Sequence, residues 1–236
     1  MITASHINKR FGKLEVLRDI DLTFNPGQAV ALIGPNGSGK TTFIKCLLGM
    51  VVPDSGKITV NGQDIAHSWQ YRASIGYMPQ IGRFPDNMTI AQVFNMLKDI
   101  RKDNRLLDED LPQAFQLHRI MDKRMHTLSG GTRQKVSASL AFLFNPDVLI
   151  LDEPSAGLDP VSAELLKEKI RREKEKGKLI IITSHILSEL DDIVSDVAYL
   201  QEGQLKFHKT LCQLKKETGE QKLVRAIARV MDTADL

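Results

Sequence analysis

The sequence predicts an α/β fold built on a parallel sheet. Two observations carry that prediction. The second half alternates short apolar runs, such as "DVLILD" and "KLIIIT", with helical stretches, and in the first half a glycine-rich turn joins a similar run, "QAVALI", to a helix. Short runs of this kind suit strands buried on both faces, with the alternating helices as cover.

In chain order, the first sixty residues read as strands. "LEVLRDIDLTF" alternates in part, "QAVALI" is a buried-type run, and "GKITVNG" is bounded by glycine at both ends. "KTTFIKCLLGM" reads as a helix opening straight from the glycine-rich loop. Residues 89–101 read as a helix with Thr89 as N-cap and with Ile90, Val93, Phe94, Leu97 and Ile100 on one face. Residues 109–125 read as helical and polar, and "GTRQKVSASLAFLFN" as a further helix stopped by Pro146. Then come strand "DVLILD", helix 160–176, strand "KLIIIT", helix 186–194, strand "DVAYLQ" and one or two terminal helices over 209–236. The stretch from about 80 to 128 lacks strand signals, as expected of a helical insertion into the sheet.

Composition narrows the function. The chain has 236 residues, 42% hydrophobic and 26% charged, an ordinary globular balance. A net charge of +3, with the basic residues spread along the chain, gives no footprint for nucleic acid. Cys46 and Cys212 lack metal-ligand spacing and are expected to be free thiols. The start, "MITASHINKRFG", has no apolar core of signal-peptide length. The apolar runs are strand-sized, whereas a membrane span needs roughly 20 residues, so any membrane part is expected on another chain. The "KEKIRREKEKGK" run reads as a solvated helix, with Glu168–Arg172 and Arg171–Glu175 at i,i+4.

The chemistry is concentrated in three places. "GPNGSGKTT", residues 34–42, matches G-x-x-x-x-G-K-[ST] between a strand and a helix. Gly37 and Gly39 let the backbone wrap so that successive N–H groups converge on phosphate oxygens, and the helix start adds its positive end. Lys40 is placed to reach the β and γ phosphates, and the Thr41 hydroxyl to bind Mg²⁺. "DVLILDEP" ends in two carboxylates. Asp152 is expected to hold Mg²⁺, and Glu153, facing the other way on an extended chain, to take a proton from an attacking water. His185 follows "KLIIIT" at the carboxyl edge of the sheet, where open α/β sheets bind ligands. Gln80, in "YMPQ", is by itself an ordinary loop residue. "LSGG", residues 128–131, is a second anion-type turn about ninety residues after the first.

The order "GPNGSGKTT", Gln80, "LSGG", "VLILDEP", "SAGLDP", His185 resembles the nucleotide-binding subunits of ATP-binding cassette (ABC) transporters over nearly the whole chain, weakening after about residue 210. The resemblance implies a P-loop NTPase core with a parallel sheet, an N-terminal antiparallel β subdomain and an inserted helical subdomain at about 80–145. C-terminal helices at about 209–236 complete one ATPase domain over 1–236. It implies ATP as the nucleotide, cradled by Gly34, Asn36, Gly37, Ser38, Gly39, Lys40, Thr41 and Thr42, with Phe11 stacked on adenine. Gln80 would sense Mg²⁺ and the attacking water, His185 would act as γ-phosphate switch, and Asp159 would link two sites. It also explains the second turn. Two copies, or one copy and a paralogous ATPase subunit, pack head to tail, and Ser129, Gly130 and Gly131 of one meet the γ phosphate held by the other. Where many relatives carry Gln after "SGG", this chain has Thr132.

The resemblance further implies an integral membrane permease as partner and a cytoplasmic position on the inner face of the membrane. Phe84, Pro85, Val93, Phe94 and Leu97 are candidates for the docking surface, unless they form the insert's own core. In detail the motifs are similar to ATPases of simple bacterial exporters, including those assigned to copper handling or nitrous-oxide reductase maturation. The competing class is a soluble ABC ATPase acting in cofactor or iron–sulfur cluster assembly. A chromosome-type ATPase would need a long coiled coil between the two turns, and no sustained heptads occur there. A GTPase would want an Asp after the Asn-Lys pair of "NKRF", and none is present.

Overall fold

The computed structural model describes residues 1–66, 68–101 and 106–234. Parts of two expected segments therefore lie outside the described residues: 102–105 within the insert and the last two positions of the terminal helices.

The chain opens with a four-stranded sheet in the order β2-β1-β4-β5. Its strands are β1 (Ile2–Phe11), β2 (Leu14–Phe24), β4 (Ser55–Val60) and β5 (Gln63–Asp64), and all neighbours are antiparallel. The second sheet has the order β10-β9-β3-β8-β7-β6. Its strands are β3 (Ala29–Ile33), β6 (Ile75–Met78), β7 (Val148–Asp152), β8 (Leu179–Thr183), β9 (Asp196–Gln201) and β10 (Gln204–Thr210), parallel except for the β9–β10 hairpin.

Strands β3, β7 and β8 are buried at every position. Alternate residues serve two cores. Val30, Leu32, Ile150 and Ile181 pack towards the antiparallel sheet and helix α1 (Lys40–Leu47). Ala31, Ile33, Leu151 and Ile182 pack towards the other face, where α2 (Ile90–Arg101), α3 (Asp110–Ala114), α4 (Gly130–Phe142), α5 (Pro160–Glu175), α6 (Leu211–Thr218) and α7 (Leu223–Ala234) lie. A strand with side chains in both cores has no polar face to alternate, which is why these strands read as continuous apolar runs. The parallel order sets the carboxyl ends of β3, β7 and β8 side by side.

Thr89 caps α2: its hydroxyl accepts from the Gln92 N–H at 3.2 Å, and Gln92 accepts from the Thr89 N–H at 2.9 Å. Ile90, Val93 and Phe94 are buried, but Ile100 is 69% exposed, so the apolar stripe leaves the core in the last turn. No single helix spans 109–125. Helix α3 ends at Ala114, and Gln116, at φ 54°, turns the chain before a 3₁₀ turn at Leu117–Ile120. Phe115 and Leu117 are both buried, and residues two apart cannot share one side of a helix.

The expected helix at 186–194 is instead a 3₁₀ turn, Leu187–Glu189, followed by turns in which the Ile193 and Val194 N–H groups both bond to Leu190 O at 3.0 Å. Leu190, Ile193 and Val194 are buried with helix-like spacing. Asp191, however, is engaged elsewhere, accepting from the Leu223 N–H at the start of α7 and pairing with Lys215. On α5, Glu168 pairs with Arg172, but Arg171 pairs with Glu164 and Glu168 rather than with Glu175. Among the described residues no helix is long and apolar enough to cross a membrane.

Candidate functional site

The carboxyl ends of β3, β7 and β8 open into a cleft of about 310 Å³. Residues 36–42 of the loop after β3 form one wall. Gln80, Asp152, Glu153 and His185 form the other, and Val16 of β2 closes one side.

The loop is shaped by glycine. Gly37 and Gly39 take φ 79° and 102°, the left-handed region where a side chain is disfavoured. At Gly39 a Cβ would also lie 2.7 Å from the Val16 carbonyl oxygen, so only glycine lets β2 approach this closely. Helix α1 begins at Lys40 with no acid in its first turn and no side-chain cap. Its first N–H groups are thus left for an acceptor outside the helix. The Ser38 hydroxyl is buried without a partner, which fits a phosphate oxygen as its acceptor. Lys40 Nζ donates to Gly34 O at 2.7 Å and Pro35 O at 2.9 Å. Burial pushes the Lys40 pKa down, while Glu153 and Asp152 act in the opposite direction.

The two carboxylates diverge, for a different reason from strand alternation. Strand β7 ends at Asp152, and Glu153 takes φ 53°. Thr183, opposite Asp152 in the β7–β8 register, fastens both. Its hydroxyl donates to Asp152 Oδ1 at 2.5 Å, while the Glu153 N–H reaches the Thr183 carbonyl and hydroxyl oxygens, each at 3.1 Å. Glu153 then turns to His185: Oε1 lies 3.2 Å from Nε2, and Oε2 accepts from the His185 N–H at 3.2 Å. Gln134 on α4 donates to the Glu153 carbonyl at 3.4 Å. Sequence reasoning passed over Thr183 and Gln134. Two positions before His185, Thr183 was within sight as the last residue of an apolar strand; Gln134 had no local signal.

Other expected residues lie outside this cleft. Gly34 precedes the cradle wall, and a Cβ there would stand 1.9 Å from Leu200 O, so its part is close packing against β9. Phe11 ends β1, 52% exposed, with Lys9 Nζ 5.4 Å from the ring centre. Ser129 is the N-cap of α4, and Ser129 and Gly130 are exposed. A Cβ on Gly131 would lie 2.6 Å from Gly157 O, so this turn abuts the "SAGLDP" loop. Asp159 caps α5 through Ser162 and pairs with Lys135 of α4 at 2.8 Å. The Lys135 ammonium, with the Ser162 N–H and hydroxyl, holds the Asp159 carboxyl well below the usual range. The cleft thus has a glycine-shaped loop and a carboxylate–imidazole pair, while Ser129, Gly130 and Gly131 of the second anion-type turn do not line it.

Comparison with known proteins adds to this geometry. Residues 17–156 match the ABC transporter family. The chain is 34% identical to Nod factor export ATP-binding protein I of Rhizobium sp. (strain N33), over 86% of this chain and 68% of that protein. It is 33% identical to the lipopolysaccharide export system ATP-binding protein LptB of Haemophilus influenzae, over 87% of this chain and 88% of that one. A solved ATP-binding subunit of an ABC transporter superposes with a TM-score of 0.90 at 28% identity, covering 98% of this chain and 99% of that one. A cassette solved as a dimer with ADP and Pi superposes with a TM-score of 0.80 at 22% identity, over 89% and 99%, and shares the fold.

Proposed function

The chain belongs to the ABC transporter family and is an ATP-binding, ATP-hydrolysing subunit of that kind, and from that premise we propose the following division of labour. The N–H groups of residues 37–41 and the Lys40 ammonium bind the β and γ phosphates. Thr41, Gln80 and Asp152 line one cleft and offer oxygen donors, the set a hard cation such as Mg²⁺ prefers. When bound, that cation spreads the charge of the phosphates. Glu153 takes the proton from the attacking water, and His185 holds the carboxylate and faces the γ phosphate. Phe11 stacks on the adenine.

The observation that carries this reading is the convergence of Lys40, Asp152, Glu153 and His185 on the loop's cleft. Glu153→Gln tests it: a general base is worth roughly 10²–10⁴-fold. We expect ATP turnover to fall by that factor with ATP binding kept, whereas near-normal turnover would remove Glu153 from the role.

A second copy completes the site. Ser129, Gly130 and Gly131 do not line the cleft of their own chain, so a phosphate they bind is offered by another. A two-fold pairing of loop against turn gives two equivalent sites. Asp159, held by Lys135 beside the turn, lies where it can report one site to the other.

The membrane partner docks on a groove of about 300 Å³ between β6 and the helical insert. Tyr77, Phe84, Leu97, Leu140 and Phe144 line it, with Arg72, Arg83 and Arg101 among its walls. Of the docking residues expected from sequence, Val93 and Phe94 belong to the core instead. The two named relatives serve export systems, which supports export as the direction of transport and a place on the inner face of the membrane. They also favour a transporter over a soluble assembly ATPase.

A further inference from the structure

Thr132 stands three residues into the turn that begins α4 and is tied to Ser129 twice. The Thr132 N–H donates to Ser129 Oγ at 3.2 Å, and the two hydroxyl oxygens are 2.9 Å apart. The first contact is ordinary helix capping. The second has a chemical consequence.

A serine hydroxyl carries one proton and two acceptor lone pairs. The Thr132 N–H occupies one lone pair. If the Thr132 hydroxyl donates to the other, the acceptor capacity of Ser129 is filled. Its own proton then points away from Thr132, from an exposed position beside the free N–H groups of the helix start. In the opposite sense, Ser129 donates to Thr132 and turns a lone pair outward, which repels an anion. An anion at this turn therefore selects the first sense, and the donating Thr132 hydroxyl strengthens the Ser129 O–H as a donor.

We propose that Thr132 is a positioning residue for the γ phosphate presented by a second copy: its hydroxyl fixes Ser129 Oγ as a donor to that phosphate. The ligand class is the terminal phosphate of a nucleoside triphosphate. The proposal rests on the reading that two copies sandwich ATP. It gives the short Thr132 side chain a function in the turn.

The test is made in the Glu153→Gln chain, where bound ATP persists. The readout is the Mg-ATP concentration that gives half-maximal dimer by light scattering. Thr132→Val keeps the branched shape and the capping N–H but removes the hydroxyl, whereas Thr132→Ser keeps the hydroxyl. Thr132→Val is expected to need roughly three- to tenfold more ATP, the range for one lost hydrogen bond, and Thr132→Ser to match the parent within about twofold. If Val dimerises at the parent's ATP concentration, the Thr132 proposal fails while the sandwich stands. If Ser is as weak as Val, the position acts by packing and the proposal also fails. If the Glu153→Gln parent does not dimerise at all, the sandwich fails and takes the proposal with it.

Discussion

At the scale of the residue, function rests on a few atoms held by backbone geometry. Lys40 Nζ lies within 2.9 Å of two carbonyls of its own loop, Gly34 and Pro35. It is therefore already turned back over the loop proposed to cradle the phosphates. Lys40→Ala removes the only ammonium in the cleft wall among the described residues. ATP hydrolysis measured by phosphate release should fall below about 1% of the parent, the scale on which removing one preorganised transition-state donor acts. Thr183 offers a finer test. Its hydroxyl is the shared fastening of Asp152 and the Glu153 N–H, and Thr183→Val should lower turnover roughly tenfold or more with the fold intact by circular dichroism. The loop and both carboxylates were legible in the sequence because each lies in one short motif. The reason Glu153 diverges from Asp152 was not, since a left-handed φ at a glutamate leaves no trace in composition or period.

At the scale of the element, α5 is held by charge as well as by packing. Glu173 is fully buried on it, with Lys169, Lys176 and Lys178 around it, and Lys169 reaches on to Asp108 and Asp110 beside α3. Burial alone would raise the Glu173 pKa, and the three lysines override it, taking it from 4.5 to about 2. A carboxyl with a depressed folded pKa stabilises the fold fully above its unfolded value. That contribution is lost as pH falls from about 4.5 through about 2. Glu173→Gln should thus lower stability by roughly 1–3 kcal/mol at pH 7. In urea melts, the gap between variant and parent should close as the pH is taken below 4.5. A gap that stays constant with pH would assign the effect to packing. Helix α2 was legible from its Thr89 cap and apolar face, α4 from a helical run stopped by Pro146, and α5 from its place between two apolar strands. The 109–125 and 186–194 stretches were not. Phe115 and Leu117 are buried on either side of a turn, and Asp191 is engaged with α6 and α7, about thirty residues on. Strand β10 has a mixed, half-buried pattern and gave no run to read.

At the scale of the whole molecule, the proposed function assigns two surfaces to other chains. The groove beside β6 contains Phe84 and Leu97, half-buried against the helical core. Phe84→Ala should weaken association with the membrane partner by roughly tenfold, the usual scale for an aromatic anchor, and leave ATP turnover of the isolated chain close to that of the parent. Pull-down of the partner and phosphate release read the two effects separately. The other surface is the α4 start. It is fixed to the "SAGLDP" loop by the close approach of Gly131 to Gly157, and to α5 by Lys135–Asp159. Two anion-type turns were legible in the residues, but that the second does not line the cleft of the first came only from the family resemblance, because that separation is a property of the assembled sheet and helices.

In the proposed assembly ATP joins two copies of this chain, loop against turn. The most direct measurement is the solution mass of the Glu153→Gln chain by light scattering, with and without saturating Mg-ATP, beside a chain that also carries Lys40→Ala. A dimer is expected only for Glu153→Gln with Mg-ATP, and monomer for the double variant under both conditions. A Glu153→Gln chain that stays monomeric with ATP demonstrably bound would contradict it.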